Sequence, residues 1–427
     1  MKVLFVNDST SNPNWGDRAA AISMKKMIVE SGGNISGSIT EDELSFSTFQ
    51  NNIPGEKDGT QQSYFREKLK LFIPPLFSKI RQKLITATED DDIVPKRWED
   101  FNIKLKQLLT KKDLYSDLLT NIEQSDLLVI HGDGCMKGNG RIPRSELFLT
   151  YVARRHFKKP VIIVNHTADF DHPDLYRMAN EVYPLFNDVV FREPISVEKC
   201  RAMCNGRFAP DSAFLFSPMS LQKWLPVAQR PTYFGVWPDT AEFDPAKPYI
   251  CIGGSSIFSY SGKPVKLINE FTALVEHISS IYAGQIVITV SDIIDQEVLR
   301  PVAQNIGLPI IGLNIPVQQA IDIVGNAEIY IGGRWHQTIF ALSGGTPIIP
   351  LTSKTFMMNA WEQMLGITTP TFDSLDLDSE KKAIGLQVLN ILEQGSELRN
   401  KLSIWAEKKH EECWGNVMYL KNMHLHN

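Results

Sequence analysis

Apolar residues in this chain gather in short runs that break off into polar or glycine-rich turns. Val3–Val6 runs into the polar loop Asn7–Arg18, after which Ala20, Met24, Met27 and Ile28 fall on one face of a helix. The same order returns at Leu127–Ile130 before a glycine-rich turn, at Val161–Val164 before Asn165 and His166, and at Val189–Phe191 before Arg192. Short runs without alternation predict strands buried on both faces, hence a mainly parallel sheet with its ligand groups at the strand C-termini. A second series starts near residue 248. It holds Tyr249–Ile252 before Gly253, Gly254 and Ser255, then Ile286–Val290, Ile310–Leu313, and Ile329–Ile331 before Gly332, Gly333 and Arg334. Between the two series stand Pro218, Pro226, Pro231, Pro238, Pro245 and Pro248. That density suits a connection between domains. The pattern predicts an α/β protein of two Rossmann-like domains, 1–216 and 248–427, whose sheets face each other across a cleft, with 217–247 joining them and helices at the C-terminus.

Residues 37–115 fit neither series and read as a variable insertion. The stretch 50–62 is polar and lacks a period. Beyond it Phe65, Leu69, Phe72 and Ile73 share helical spacing among Arg66, Lys68 and Lys70. Pro74 and Pro75 interrupt, and Phe77, Ile80 and Leu84 resume it. This basic, amphipathic segment, about 63–86, is either a helical flap on the first domain or an element that touches an anionic membrane surface.

Composition narrows the class. With 427 residues, 43% hydrophobic and 22% charged, the chain is an ordinary globular protein, and a net charge of −5 gives no general attraction for nucleic acid. Five scattered cysteines suit a reducing compartment, and Cys200 and Cys204 read as buried thiols because no second Cys/His pair completes a zinc site. The apolar run before Asn7 is too short for a signal peptide, and no stretch reaches the ~18 apolar residues of a bilayer span. A cytoplasmic protein is expected, peripheral to the membrane's inner face at most.

Four segments can carry chemistry. Asn14, Gly16 and Asp17 stand at a helix start, where Asp17 can cap the helix or face the cleft. His131-Gly132-Asp133-Gly134 follows a strand, and its glycines let backbone N–H groups approach an anion. Arg192 closes another strand with a planar fork suited to carboxylate or phosphate, unless Glu193 or another acid occupies it. Finally Arg334 and His336 stand at the N-terminus of a helix, an end that favours anions, and histidine there can move a proton near neutral pH. Asn165 and His166 either contact sugar hydroxyls or cap a turn. The run Asp90-Asp91-Asp92 reads as solvated surface. Nothing in these patterns requires a metal or a cofactor.

Taken in order, these segments resemble the polysaccharide pyruvyl transferase family. Asn14-x-Gly16-Asp17 is similar to its N-terminal signature, FREPIS at 191–196 and APDSAF at 209–214 to its central motifs, and GGRWHQTIFALSGGTPIIPL at 332–351 to its C-terminal segment. The resemblance covers about 1–36 and 125–365. His131-Gly132-Asp133-Gly134 departs from the glycine run usual there. It implies a GT-B-like fold with the acceptor on the first domain and the donor on the second, and transfer of a pyruvyl ketal from phosphoenolpyruvate to a sugar of a cell-surface polysaccharide or its precursor, free or lipid-linked. On that footing Arg192 and Arg334 would bind the donor's carboxylate and phosphate, and His336 would be the acid or a phosphate ligand; in a mechanism built on these roles Asp133 or Asp17 could be the base for the sugar hydroxyl. The alternative is a glycosyltransferase whose nucleotide sugar rests its phosphates on Gly253, Gly254 and Ser255 and on the helix start after Arg334. A catalytically silent binding protein on this scaffold is the third reading.

Overall fold

The computed structural model describes residues 1–45, 49, 92–230, 233, 242–261, 264–366, 368 and 370–425; the polar stretch 50–62 and the amphipathic segment 63–86 lie outside the described residues. Each apolar run forms a strand. The first sheet holds β1 (Lys2–Asp8), β2 (Asn34–Thr40), β3 (Leu127–Lys137), β4 (Val161–Asp169), β5 (Asp188–Phe191) and β6 (Arg207–Phe208) in the order β2-β1-β3-β4-β5-β6. The second holds β7 (Tyr249–Ser255), β8 (Gln285–Thr289), β9 (Ile310–Ile311), β10 (Ile329–Gly333) and β11 (Ile348–Pro350) in the order β11-β10-β7-β8-β9. All pairings between these strands are parallel. Val3–Val6, Leu127–Ile130 and Val161–Val164 are fully buried, as strands covered on both faces by helices must be.

Both sheets reverse their winding at the centre. In the first the chain steps outward from β1 to β2 and then returns to β3 on the other side; in the second it moves from β7 through β8 and β9 and returns to β10. Crevices beyond the strand C-termini at such reversals are where ligands of open α/β sheets bind.

The two halves are tightly joined. The helix Trp15–Glu30 of the first half docks on the second: the Trp15 backbone N–H donates to the Ser291 carbonyl (3.2 Å), its indole Nε1 to the Leu313 carbonyl (3.2 Å), and Arg18 Nη2 to the Leu313 and Ile315 carbonyls (3.4 and 3.3 Å). One apolar cluster runs through both halves, from Val3, Trp15 and Met24 to Trp335, Ile339 and Trp361. The long helix Leu377–Glu412 bends at Gly395, where φ is 52°. The chain beyond it returns to the first sheet, where Asn416 accepts from the Asn165 N–H (3.0 Å) and donates to the Pro210 carbonyl (2.8 Å).

Asp92 is not the solvated acid its charged run suggested. Its carboxylate takes Nε and Nη2 of Arg141 at 2.8 and 2.9 Å in a half-buried fork, and despite burial this pairing holds its carboxyl below the ordinary value.

Candidate active site

Three neighbouring strands of the first sheet carry, just past their apolar runs, a non-glycine residue with left-handed backbone: Asn7 in β1 (φ 68°), Asp133 in β3 (φ 44°) and Asn165 in β4 (φ 55°). Asn and Asp adopt this region more readily than other side chains, and such strain concentrates at functional sites. At Asp133 the pairing with β4 also slips, since Asp133 to Met136 spans what His166 to Ala168 spans opposite. That bulge turns Asp133 and the residues after it toward the second sheet. The crevices of the two sheets meet there in a single cleft of about 720 Å³.

At its floor the halves exchange charge. Arg192, 1% exposed, follows β5 and donates from Nη1 to Asp133 and to Asp211 (3.1 Å), and from Nε to Thr167 Oγ1 (2.9 Å). His336, from the second half, sets Nε2 3.4 Å from Arg192 Nη1, 3.5 Å from Asp211 and 3.6 Å from Asp133, with Nδ1 3.7 Å from Asp17. Trp335, beside it, donates its indole N–H to Asp211 (3.0 Å) and lies over the Arg192 guanidinium. Burial by itself would raise the carboxyls of Asp133 and Asp211; the Arg192 guanidinium and the neighbouring His336 ring hold both below the ordinary range. Asp17 goes the other way. Burial pushes it well above the usual carboxylate range, and the charges of Asp133, Glu41 and Asp292 push it further.

The helix start explains Gly16. Asn14 Oδ1 accepts from the N–H groups of Gly16 (2.8 Å) and Asp17 (3.3 Å), which turns the first helical turn onto the His336 ring. A Cβ at position 16 would lie 2.2 Å from His336 Nδ1.

Of the residues expected here, Asn14, Gly16, Asp17, Asp133, Arg192, Arg334 and His336 line the cleft. Arg334, however, is already occupied: Nε and Nη2 grip Asp295 (2.8–3.1 Å) and Nη1 holds Asp292 (3.1 Å), which in turn accepts from Asn14 Nδ2 of the other half (3.0 Å). The remaining expectations fall behind the cleft. His131 is fully buried, stacks on Phe5 and pairs Nε2 with Asn165 Nδ2 (3.0 Å). Asn165 is spent on His131 and on the Ser212 N–H (2.6 Å). His166 lies between the Val190 carbonyl and the Tyr183 hydroxyl (both 3.0 Å), and burial lowers its imidazole to about 3. Gly253 and Gly254 make room for side chains: a Cβ on them would meet Gln337 at 2.4 Å and Asp295 at 2.0 Å. Ser255 Oγ donates to the Thr352 carbonyl (2.6 Å). These positions support the site and do not face it.

Sequence reasoning missed Asp211, whose family motif was noted but which alone gave no sign of holding both Arg192 and Trp335. It also missed Lys137 and Lys354, which line the cleft from opposite halves. Three ligand atoms of Asp17, Asp133 and His336 lie within 4.8 Å of one another, close enough for a metal ion, but Asp133 is already engaged by Arg192. Among the described residues no helix is long and apolar enough to cross a membrane.

The arrangement of two parallel sheets about one cleft is that of the GT-B glycosyltransferases. Similar solved structures include the spinosyn rhamnosyltransferase SpnG complexed with thymidine diphosphate (13% identity, all of both chains, TM-score 0.51) and Arabidopsis thaliana UGT89C1 complexed with UDP-L-rhamnose (11% identity, 99% of this chain and 98% of that one, TM-score 0.55). An E. coli trehalose-6-phosphate structure bound with UDP-2-fluoro glucose is also similar (10% identity, 99% of each chain, TM-score 0.52). No curated protein sequence matches the chain. Residues 68–355 match the polysaccharide pyruvyl transferase family, and the chain belongs to that family of transferases.

Proposed function

We propose that the protein transfers the enolpyruvyl carbons of phosphoenolpyruvate to two hydroxyls of a sugar in a cell-surface polysaccharide or its precursor, releasing phosphate. The observation that carries this reading is the meeting of Arg192 and His336, from different halves, at the floor of the cleft of a family member. A forked cation beside a proton-transferring ring is what a small, strongly charged enol phosphate needs.

In this mechanism His336 delivers a proton to the terminal methylene carbon of the donor, and the adjoining carbon becomes oxocarbenium-like. One sugar hydroxyl attacks that carbon, the bond to phosphate breaks, and a second hydroxyl closes the ketal. Of the two hydroxyl protons lost, one replaces the proton given to the methyl carbon and the other leaves with phosphate. Asp17 is the better proton relay, since its carboxyl is raised and lies 3.7 Å from His336 Nδ1, whereas Asp133 is depressed and bound to Arg192.

The reaction is tested with a panel of sugar acceptors and phosphoenolpyruvate in D2O, followed by mass spectrometry. A pyruvyl ketal carrying one deuterium in its methyl group is expected; a glycosylated acceptor formed from a nucleotide sugar, with phosphoenolpyruvate untouched, would refute it. Gly16→Ala, which must displace the His336 ring, is expected to lower turnover about a hundredfold, the usual scale for a misplacement near 1 Å. Wild-type turnover in that variant would show that the ring's position does not matter.

A further inference from the structure

We propose that the donor's phosphate is held between Lys137 and Nη2 of Arg192, with Lys354 closing on it from the second half, and that Arg334 is a strut between the halves and not a phosphate ligand. This rests on the phosphoenolpyruvate reading for the identity of the donor, though not for the existence of a phosphate site.

The geometry starts at Gly134. A Cβ placed there would lie 3.2 Å from Arg192 Nη2 and 3.9 Å from Lys137 Nζ. With no side chain at 134, that position is open to an anionic oxygen, which would meet both cations at once. Arg192 has this nitrogen to give. Its Nε is taken by Thr167 and its Nη1 by Asp133 and Asp211, whereas Nη2 touches only the sulfur of Met357, at 3.9 Å, among the described residues. A thioether is a weak acceptor, so an oxyanion would replace it readily.

Lys137 ends β3, just past the bulge that turns this stretch toward the second sheet. Its ammonium makes no hydrogen bond or ion pair among the described residues, and burial together with Arg192 lowers it from its ordinary value. Lys137 is partly buried, and an ammonium drawn partly out of water is usually paired with an anion, so this one is open to an anionic partner that arrives. Lys354 follows β11, is tied by its backbone N–H to Ser256 Oγ (3.0 Å), and feels Lys137 as its principal like-charged neighbour. After Lys137 the loop Gly138–Gly140 leads into the helix Arg141–Arg155, whose first turn no side chain caps and whose opening residues line the same cleft. That end adds partial positive charge to the three side chains.

Arg334 offers the contrast. Each of its three guanidinium nitrogens already donates to Asp295 or Asp292, so none is left for an arriving phosphate as Nη2 of Arg192 is. The link from Arg334 through Asp292 to Asn14 joins the two halves instead.

The test is calorimetry on the full chain with phosphoenolpyruvate, inorganic phosphate, pyruvate and UDP, for wild type, Lys137→Gln, Lys137→Arg and Lys354→Gln. Lys137→Gln should weaken phosphoenolpyruvate and phosphate about ten- to a hundredfold, leave pyruvate within twofold, and be largely rescued in Lys137→Arg. Lys354→Gln should have a smaller effect of the same kind. If wild type binds phosphoenolpyruvate and Lys137→Gln binds it equally well, the lysine assignment is wrong and the donor reading stands. Should wild type bind UDP and not phosphoenolpyruvate, the donor reading fails, and the UDP affinity of Lys137→Gln decides the phosphate site by itself: loss supports it, retention overturns it. Wild type that binds none of these ligands overturns both.

Discussion

Replacing His336 with glutamine should lower turnover by about 10²–10⁴-fold, the usual range for losing a positioned proton donor, while phosphoenolpyruvate affinity changes less than tenfold. Glutamine keeps a polar side chain of similar length near Asp17 and Asp211, but it cannot give up a proton to carbon. The split between turnover and affinity is what distinguishes an acid from a binding group, because only interactions made in the transition state act on kcat alone. Steady-state kinetics with a far-UV spectrum of the variant would decide. A variant that keeps its turnover would remove His336 from the chemistry; one that loses affinity and turnover equally would make it a donor ligand.

Arg192→Ala should show the largest effect on stability. The side chain balances two carboxylates, Asp133 and Asp211, that are 7% and 0% exposed, and removing it strands both. Breaking a buried ion pair from one side typically costs about 3–5 kcal/mol, measurable by urea unfolding. Lysine cannot repair it, since one ammonium cannot reach Thr167, Asp133 and Asp211 as the fork does. The pH dependence follows from the same contacts. Both carboxyls titrate below their ordinary value in the folded protein, so their contribution to wild-type stability is fully present above about pH 4 and fades as pH falls through the depressed values. In Arg192→Ala the stranded carboxyls favour protonation, so acid should help the variant. The gap between the two proteins is therefore widest near neutral pH and narrows in acid. A constant gap from pH 7 to pH 3 would mean that these carboxylates do not depend on Arg192.

Much of this architecture was legible because a buried parallel strand leaves a plain trace, a short apolar run ending in a turn. Val3–Val6, Leu127–Ile130 and Tyr249–Ile252 all gave it. The edge strand β2, NISGSIT, did not: it has few apolar residues because one side of it lacks a neighbouring strand. The site was legible where a residue's type and its place at a strand or helix end agreed, as for Asp17, Arg192 and His336. It was illegible where direction decided. His131 and His166 also follow apolar runs, yet the strands continue past them through the left-handed residues Asp133 and Asn165, and both imidazoles are buried in the core. Arg334 looked free because its partners, Asp292 and Asp295, come from a different strand–helix unit, 42 and 39 residues earlier. Lys137 was not singled out, since the bulge that turns it inward has no sequence signal beyond two glycines.

The central claim, that a small enol phosphate occupies the floor of this cleft beside Arg192 and His336, is tested most directly by calorimetric titration of phosphoenolpyruvate against CMP-, UDP- and GDP-sugars, with wild type beside Arg192→Lys. The account predicts that phosphoenolpyruvate binds the wild type and that the substitution weakens it at least tenfold. Selective binding of one nucleotide sugar, with no binding of phosphoenolpyruvate, would contradict it.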